Sequence, residues 1–311
     1  MAAGRVLAIV NPRSAAGATS RRWPAVEATL RRALGPLEVE WTRAPRDAER
    51  IAREGVRAGI ELLIVAGGDG TTGEVAAGLL GAGLGGYAEI ALLPLGTGGD
   101  LSRGLALPRD LDAAVAAIAR GKTRRLDAGR ACFVGRDGRP LETHFVNISS
   151  FGVSGLVTDL VNRAPKALGG RVSFFIGTVR ALARWRAVPV ALRVDGELAH
   201  EGPLDLAVVA NGSYFGGGMR VAPDARPDDG SFDVVAVRGA TKARLLRKFP
   251  LLYRGRHLGL AEVGVCRGRR VEAEALGGAE VFLEIDGEPL GKLPARYELL
   301  PGALMLRGVE A

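Results

Sequence analysis

Apolar positions along the first ~130 residues fall into two alternating patterns. Short runs at residues 6–10, 62–66 and 90–93 have the continuity of strands buried on both faces of a parallel sheet. A further strand is expected at residues 37–41. Between these, apolar residues return every three or four positions over residues 21–34, 48–58, 74–80 and 111–119, the spacing of helices. Leu111, Val115 and Ile118 share one face of the last of them. Strand–helix alternation predicts an α/β domain in three layers, with helices over both faces of a parallel sheet.

The pattern changes near residue 130. Asp137-Gly138, Asp195-Gly196 and Asp286-Gly287 separate β-rich runs such as residues 188–194 and 281–285. Asp-Gly between such runs is a strong hairpin signal, so antiparallel sheet is expected here. Two helical patterns interrupt it, at about residues 173–185 and 241–253. The division is drawn as a first domain over residues 1–130 and a second over 131–311, with the last strand able to return to the first.

Composition narrows the function classes. Of 311 residues, 47% are hydrophobic and 24% charged, which is globular. The net charge is +8, and all but five of the 42 basic side chains are arginine. A phosphate-rich partner, an anionic membrane surface or a GC-rich genome each accounts for that balance. Cys132 and Cys266 stand far apart, and His144, His200 and His257 are the only histidines. A disulfide framework, a zinc site or a His-based triad is therefore not expected. The apolar run at residues 6–10 is too short for a signal peptide, and none approaches the roughly 18 residues of a membrane span. A soluble, cytoplasmic protein is the expectation.

The 45 glycines cluster, and the clusters carry chemistry. The run at residues 62–66 enters Gly67-Gly68-Asp69-Gly70-Thr71-Thr72, after which a helix is expected from about Gly73. Strand, glycine turn, helix is a phosphate-binding arrangement: the backbone approaches closely, amides face oxygens, and the helix end adds positive potential. Thr71 or Thr72 supplies a hydroxyl or caps the helix. Asp69 needs a metal ion if phosphate is to lie beside it. Pro94-Leu-Gly96-Thr97-Gly98-Gly99-Asp100 repeats the logic after the next strand, and Asn11-Pro12-Arg13-Ser14 also follows one. Turns at one end of a parallel sheet point to a shared ligand crevice. Neither glycine cluster is a Walker A loop. Gly81-Ala-Gly83-Leu-Gly85-Gly86 satisfies G-x-G-x-x-G but follows a helix and precedes a strand, so it is read as a helix end and loop.

In the second half, Asp224, Asp228 and Asp229 lie close together in one loop. They could hold Mg²⁺ with backbone carbonyls, or simply shape a solvated turn. Asp-Gly-Glu occurs at residues 195–197 and again at 286–288. Local chemistry does not choose between the two.

Together these residues resemble the diacylglycerol kinase catalytic domain family, in its bacterial soluble lipid kinase branch. That family is related to sphingosine kinases and more distantly to NAD kinases. The resemblance rests on Gly67-Gly-Asp-Gly-Thr71 with Glu74-Val75, on residues 94–100 with Leu101 and Arg103, and on Phe145-Val-Asn147-Ile-Ser-Ser-Phe-Gly152. Residues 211–230, and Ile285-Asp-Gly-Glu288 with Gly291-Lys-Leu-Pro-Ala295, complete it. It implies an amino-terminal α/β/α nucleotide-binding domain followed by an antiparallel β-sandwich that takes the lipid. It also implies ATP contacts at Asn11, Ser14, Thr42, Gly67, Gly68, Asp69, Gly70, Thr71, Glu74, Gly96 and Thr97.

The resemblance further implies Mg²⁺ at Asp229, by its carboxylate, and at Arg226 and Ser231, by their carbonyls. It makes Glu288 the general base, in preference to Glu197. Asp69 is the competing base or a metal ligand, because related sphingosine kinases use that position. The expected reaction is ATP-dependent phosphorylation of a lipid hydroxyl on diacylglycerol, a sphingoid base or phosphatidylglycerol, with the lipid presented at a membrane surface. No nucleic-acid partner is expected, and an edge strand of the second domain could pair two copies. A soluble-substrate kinase of the NAD kinase type, or a non-catalytic nucleotide- or lipid-binding member, are the other readings. The chain departs from the family pattern at Gly73 and Gly99, where asparagine is usual, and at Ala15, where glycine is usual. Each lost amide side chain removes hydrogen bonds worth about 1 kcal/mol.

Overall fold

The computed structural model describes residues 4–96, 99–157, 177, 185–239 and 241–309. It divides into two compact units, residues 1–128 with 301–311, and residues 129–300.

In the first unit, β1 (Val6–Val10), β2 (Glu38–Trp41), β3 (Leu62–Gly67) and β4 (Glu89–Pro94) form a parallel sheet in the order β4-β3-β1-β2. The last residues of β15 (Glu288–Arg307) add a parallel strand beside β4, with Leu306 opposite Ile90. Alternate residues of β1, β3 and β4 (Val6, Ala8, Leu62, Ile64, Ala91 and Leu93 among them) pack under α1 (Ala18–Leu34) and α5 (Leu111–Arg120). The helices α2 (Asp47–Arg57) and α3 (Asp69–Leu80) take the other face. Strands covered on both sides bury consecutive residues, which is why β1 and β3 are unbroken apolar runs. A short helix, α4 (Asp100–Gly104), follows the second glycine turn.

The second unit is an antiparallel sandwich. One layer runs β12 (Val263–Gly268), β11 (Phe232–Val237), β10 (Leu206–Ala210), β7 (Ile148–Gly152), β14 (Phe282–Ile285), then β15. The other strands are β5 (Thr123–Gly135), β6 (Pro140–Phe145), β8 (Val188–Val194), β9 (Glu197–Leu204) and β13 (Arg270–Ala275). Of these, β9, β8 and β13 continue from β15 in that reverse order, and β5 pairs with both β15 and β6. The core holds Phe145 stacked on Phe232 at 5.7 Å, with Tyr297 edge-on to Phe145 at 6.2 Å.

All three Asp-Gly pairs sit at hairpins, β5–β6, β8–β9 and β14–β15. Asp195 and Asp286 are left-handed, at φ 49° and 47°, each followed by a glycine that is left-handed as well. That is the backbone a tight hairpin turn requires. On the outer face of the β7–β10–β11 layer lie α6 (Lys242–Lys248), capped by the Thr241 side chain, and α7 (Pro250–Tyr253). The continuous helix expected over residues 241–253 is instead broken at Phe249-Pro250, because proline supplies no amide to an ongoing helix. The helix expected over 173–185 lies almost entirely outside the described residues.

Candidate active site

The first glycine turn is shorter than its sequence implies. Helix α3 starts at Asp69, four residues before the expected Gly73, with an extended Gly68 as its N-cap at φ −102°. Asp69 in the first turn compensates the helix dipole. The Thr72 amide already donates to the Gly68 carbonyl at 3.1 Å, closing the first helical turn. The amides ahead of it belong to the set that no α-helix can satisfy internally, and they point outward from its start.

Two side-chain bridges knit this start to its surroundings. Asn11, at the end of β1, donates from Nδ2 to Thr71 Oγ1 at 2.9 Å across 60 residues of sequence. Its own carbonyl accepts the Ser14 hydroxyl at 3.0 Å. The Ser14 hydroxyl also meets Thr19, whose hydroxyl donates at 3.4 Å to the Leu95 carbonyl just before Gly96. Asp69 accepts the amides of Asp100 and Leu101 at 3.0 and 3.3 Å, so its carboxylate caps α4 and ties the two glycine turns together. Asp100 is buried and paired with Arg103.

The turns also touch through backbone. A Cβ on Gly96 would stand 2.7 Å from the Gly68 Cα and 2.9 Å from the Gly67 carbonyl, and one on Gly67 would strike the Thr71 side chain. Gly68 has open space where a Cβ would be, so its backbone can be approached from outside. Asn11, Ser14, Gly67, Gly68, Asp69, Thr71 and Gly96 are thus brought together. Gly70 is exposed within the first turn of α3, and Thr42 follows β2, its amide on the Val10 carbonyl at 2.9 Å.

Glu74 turns elsewhere: its Oε2 accepts the Ala48 amide at 3.2 Å, at the start of α2. Burial there raises its carboxyl above the usual range, against the pull of the Arg46 and Ala48 amides. Thr97 lies outside the described residues. Thr19 completes the network, and no local sequence signal marks it. The G-x-G-x-x-G match at residues 81–86 is a helix end and turn.

In the second unit the two Asp-Gly-Glu turns are alike in one respect. Asp286 accepts the amides of Val146, Asn147 and Ile148 at 3.0–3.1 Å, and Asp195 accepts those of Arg269 and Arg270 at 2.8–3.2 Å. They differ two residues earlier. Behind Glu197 stands the exposed Arg193, whereas behind Glu288 stands Glu284, 3% exposed, its Oε2 accepting the Gly287 amide at 2.7 Å. Glu288 itself is exposed at the exit of its turn.

Among the described residues, no three His, Cys, Asp or Glu side chains converge to hold a metal. Asp229 is exposed, pairs with Arg267 and accepts the Ser231 amide at 3.2 Å. Asp233 is 4% exposed, and its Oδ2 has no hydrogen-bond donor, only Arg267 Nε at 3.5 Å. Burial, then the charges of Asp229 and Asp224, push the Asp233 carboxyl up against the pull of Arg267. Arg226, Arg267 and Arg269 all reach this loop, so the Asp229 carboxylate with neighbouring carbonyls is a hard-oxygen donor set that fits Mg²⁺ completed by water only if the ion takes the place of Arg267.

The comparisons with known proteins fall on this frame. The diacylglycerol kinase catalytic domain family matches residues 5–131, and the YegS C-terminal NAD kinase beta sandwich-like domain matches residues 147–308. A diacylglycerol kinase of Mycobacterium tuberculosis is 30% identical over 305 residues, covering 97% of this chain and 94% of that one. The crystal structure of a diacylglycerol kinase from Bacillus anthracis superposes with a TM-score of 0.71 at 23% identity, over 97% of this chain and 96% of the other. Yeast NADH kinase shares the fold at a TM-score of 0.55 and 13% identity, over 97% of this chain and 82% of its own. With both of its halves matched and a relative of that identity along nearly its whole length, this chain belongs to the diacylglycerol kinase family of kinases.

Proposed function

We propose that the chain transfers the γ-phosphoryl group of ATP to the hydroxyl of a membrane-presented lipid, diacylglycerol or one resembling it. The cradle made by Asn11–Thr71 and by Asp69 on α4 carries this reading, because it fixes two glycine turns and the start of α3 as one preorganised anion site. Phosphoryl transfer asks a protein chiefly for positioning and charge stabilisation. Gly67, Gly68 and Gly70 bring backbone amides to the phosphates, while Ser14, Thr42 and Gly96 border the nucleotide, and for Thr97 the same contact rests on the family resemblance alone. Glu74 acts indirectly, by anchoring α3 to α2.

Glu288 takes the proton of the attacking hydroxyl. Asp69 is the weaker candidate for that role, since both its oxygens already accept amides. Asp229, with the carbonyls of Arg226 and Ser231, would hold Mg²⁺, which supplies positive charge that orders the acidic loop. The Mg²⁺ that accompanies ATP arrives with the substrate. The outward side of α6 and α7, with Leu246 42% and Tyr253 40% exposed beside Lys242 and Arg247, is the surface we assign to the lipid bilayer.

Labelled ATP incubated with a lipid extract tests the reading. A labelled lipid supports it; labelled NADP from added NAD, or nucleotide binding without transfer, overturns it. Glu288→Gln should lower kcat by about 10²–10⁴-fold with ATP affinity retained. Near-wild-type turnover in that variant would remove Glu288 as base and promote Asp69.

A further inference from the structure

We propose that Glu284 is a positioning residue for Glu288: buried on the face of β14 opposite the sandwich core, it holds the Asp286-Gly287-Glu288 turn through the Gly287 amide. The inference rests on the reading of Glu288 as the base.

Glu284 sits in β14, within the apolar run Val281-Phe-Leu-Glu-Ile285, and is buried on the face of the strand opposite Leu283 and Ile285, beside its cross-strand partner Ser150. A buried carboxylate is costly unless its lone pairs are used. Both oxygens are engaged. Oε2 accepts the Gly287 amide at 2.7 Å, and Oε1 meets the Ser150 hydroxyl on β7, which continues to Ser154 at 2.8 Å. The Glu284 carbonyl accepts the Ser149 hydroxyl at 2.9 Å, so backbone and side chain of one residue are both fixed to β7.

The turn is therefore held from two sides. Asp286 reaches outward to three amides of residues 146–148, and Glu284 reaches across the turn to Gly287. The amide it grips belongs to the residue immediately before Glu288. In the other Asp-Gly-Glu turn the matching residue is the exposed Arg193, whose guanidinium makes only a long 3.5 Å contact to the Gly196 carbonyl and leaves the Gly196 amide ungripped by a carboxylate there. A purely structural demand of tight hairpins would give both turns the same support.

The grip depends on charge. Burial raises the Glu284 carboxyl to about 7, against the Ser150 and Gly287 donors, and repulsion from Asp286 and Glu288 adds to it. The titratable groups facing it are Asp286 and Glu288 on its own hairpin and Tyr297 on β15, whose phenol burial holds neutral. From β7 come the hydroxyls of Ser149 and Ser150. Ionised, Glu284 receives hydrogen bonds along the chain Ser154, Ser150, Glu284, and its bond from Gly287 is charge-assisted, roughly twice as strong as a neutral one. Protonated on Oε1, it reverses that chain, and the Gly287 amide then donates to an uncharged, weaker acceptor oxygen.

The experiment measures kcat and both KM values between pH 6 and 8.5 on the full chain. The wild type should lose kcat as pH falls through about 7. Glu284→Gln should keep both KM values within about twofold, lower kcat about tenfold at pH 8, and flatten that limb. Ser150→Ala removes a donor to the charged form, so the limb should move to higher pH. Added to Glu288→Gln, Glu284→Gln should cost less than about twofold more, because it acts through that residue. An unchanged kcat profile in Glu284→Gln, or an unmoved limb in Ser150→Ala, overturns the role of Glu284 while leaving Glu288 as base. Full activity of Glu288→Gln overturns the base reading itself.

Discussion

Ala15 and Ala16 adopt left-handed backbone, with φ of 51° and 53°, in the short turn between β1 and α1. An alanine there costs roughly 1–2 kcal/mol relative to right-handed backbone, a cost glycine avoids. The glycine usual in the family at position 15 is explained by that geometry. Ala15→Gly is expected to raise stability by about 0.5–1 kcal/mol, the loss of unfolded-chain restriction offsetting part of the relief. A urea midpoint unchanged or lowered would contradict the strain.

Glu284 makes a second prediction at the same scale. Its carboxyl titrates near 4.5 in an unfolded chain and near 7 in the fold. Between those values the folded protein keeps a proton that the unfolded chain has released, so stability falls as pH rises across the window and levels off above it. The loss is on the order of 3 kcal/mol. Glu284→Gln carries no titratable group and should remove that share of the difference between urea midpoints at pH 5 and pH 8. An equally large difference in the variant would place the titration elsewhere.

Among the elements, the close approach of the two glycine turns is the constraint that bears on the site. A methyl on Gly96 has backbone in its way, not a flexible side chain, so the turns must part to admit it. Gly96→Ala should therefore weaken ATP binding by about tenfold or more and destabilise the first unit by about 1–3 kcal/mol. Gly68→Ala, with open space for its methyl, should cost far less stability. Equal losses of stability from the two, by thermal melting, would count against the contact.

These elements also mark what local pattern can and cannot convey. Parallel strands and Asp-Gly hairpins are legible because burial period and turn chemistry are written within a few residues of each other. The α3 start is not, since Gly67 to Gly73 reads as loop until tertiary packing lets helix form from Asp69. Helix α4 escapes notice because its cap, Asp69, lies 31 residues away. Glu74 is readable as a member of a motif, but its partner, the Ala48 amide, is set by the packing of α3 on α2. Glu284 leaves one trace, a carboxylate in an apolar run, whose meaning depends on Ser150, far away on β7.

For the molecule as a whole, the +8 charge has three explanations, a phosphate-rich partner, an anionic membrane surface or an arginine-rich composition without a partner. Among the described residues no helix is long and apolar enough to cross a membrane. The distribution around α6 gives the membrane explanation a place to be tested. Arg244 and Lys248 are spent on Glu262, which fastens the helix, and Leu245 and Leu252 pack into the sandwich's outer apolar cluster. Leu246 and Arg247 are left exposed on the helix. A basic residue at an anionic bilayer surface contributes about 1 kcal/mol, which is roughly fivefold in affinity. Arg247→Glu should therefore weaken co-sedimentation with phosphatidylglycerol-containing vesicles by at least about fivefold, and rising salt should erase the difference. Arg57→Glu, on the exposed side of α2, makes the same change in net charge. It should shift vesicle binding by less than about twofold if α6 is the contact. Equal losses from the two variants would mean that net charge alone draws the protein to anionic lipid, and that α6 has no special part in it.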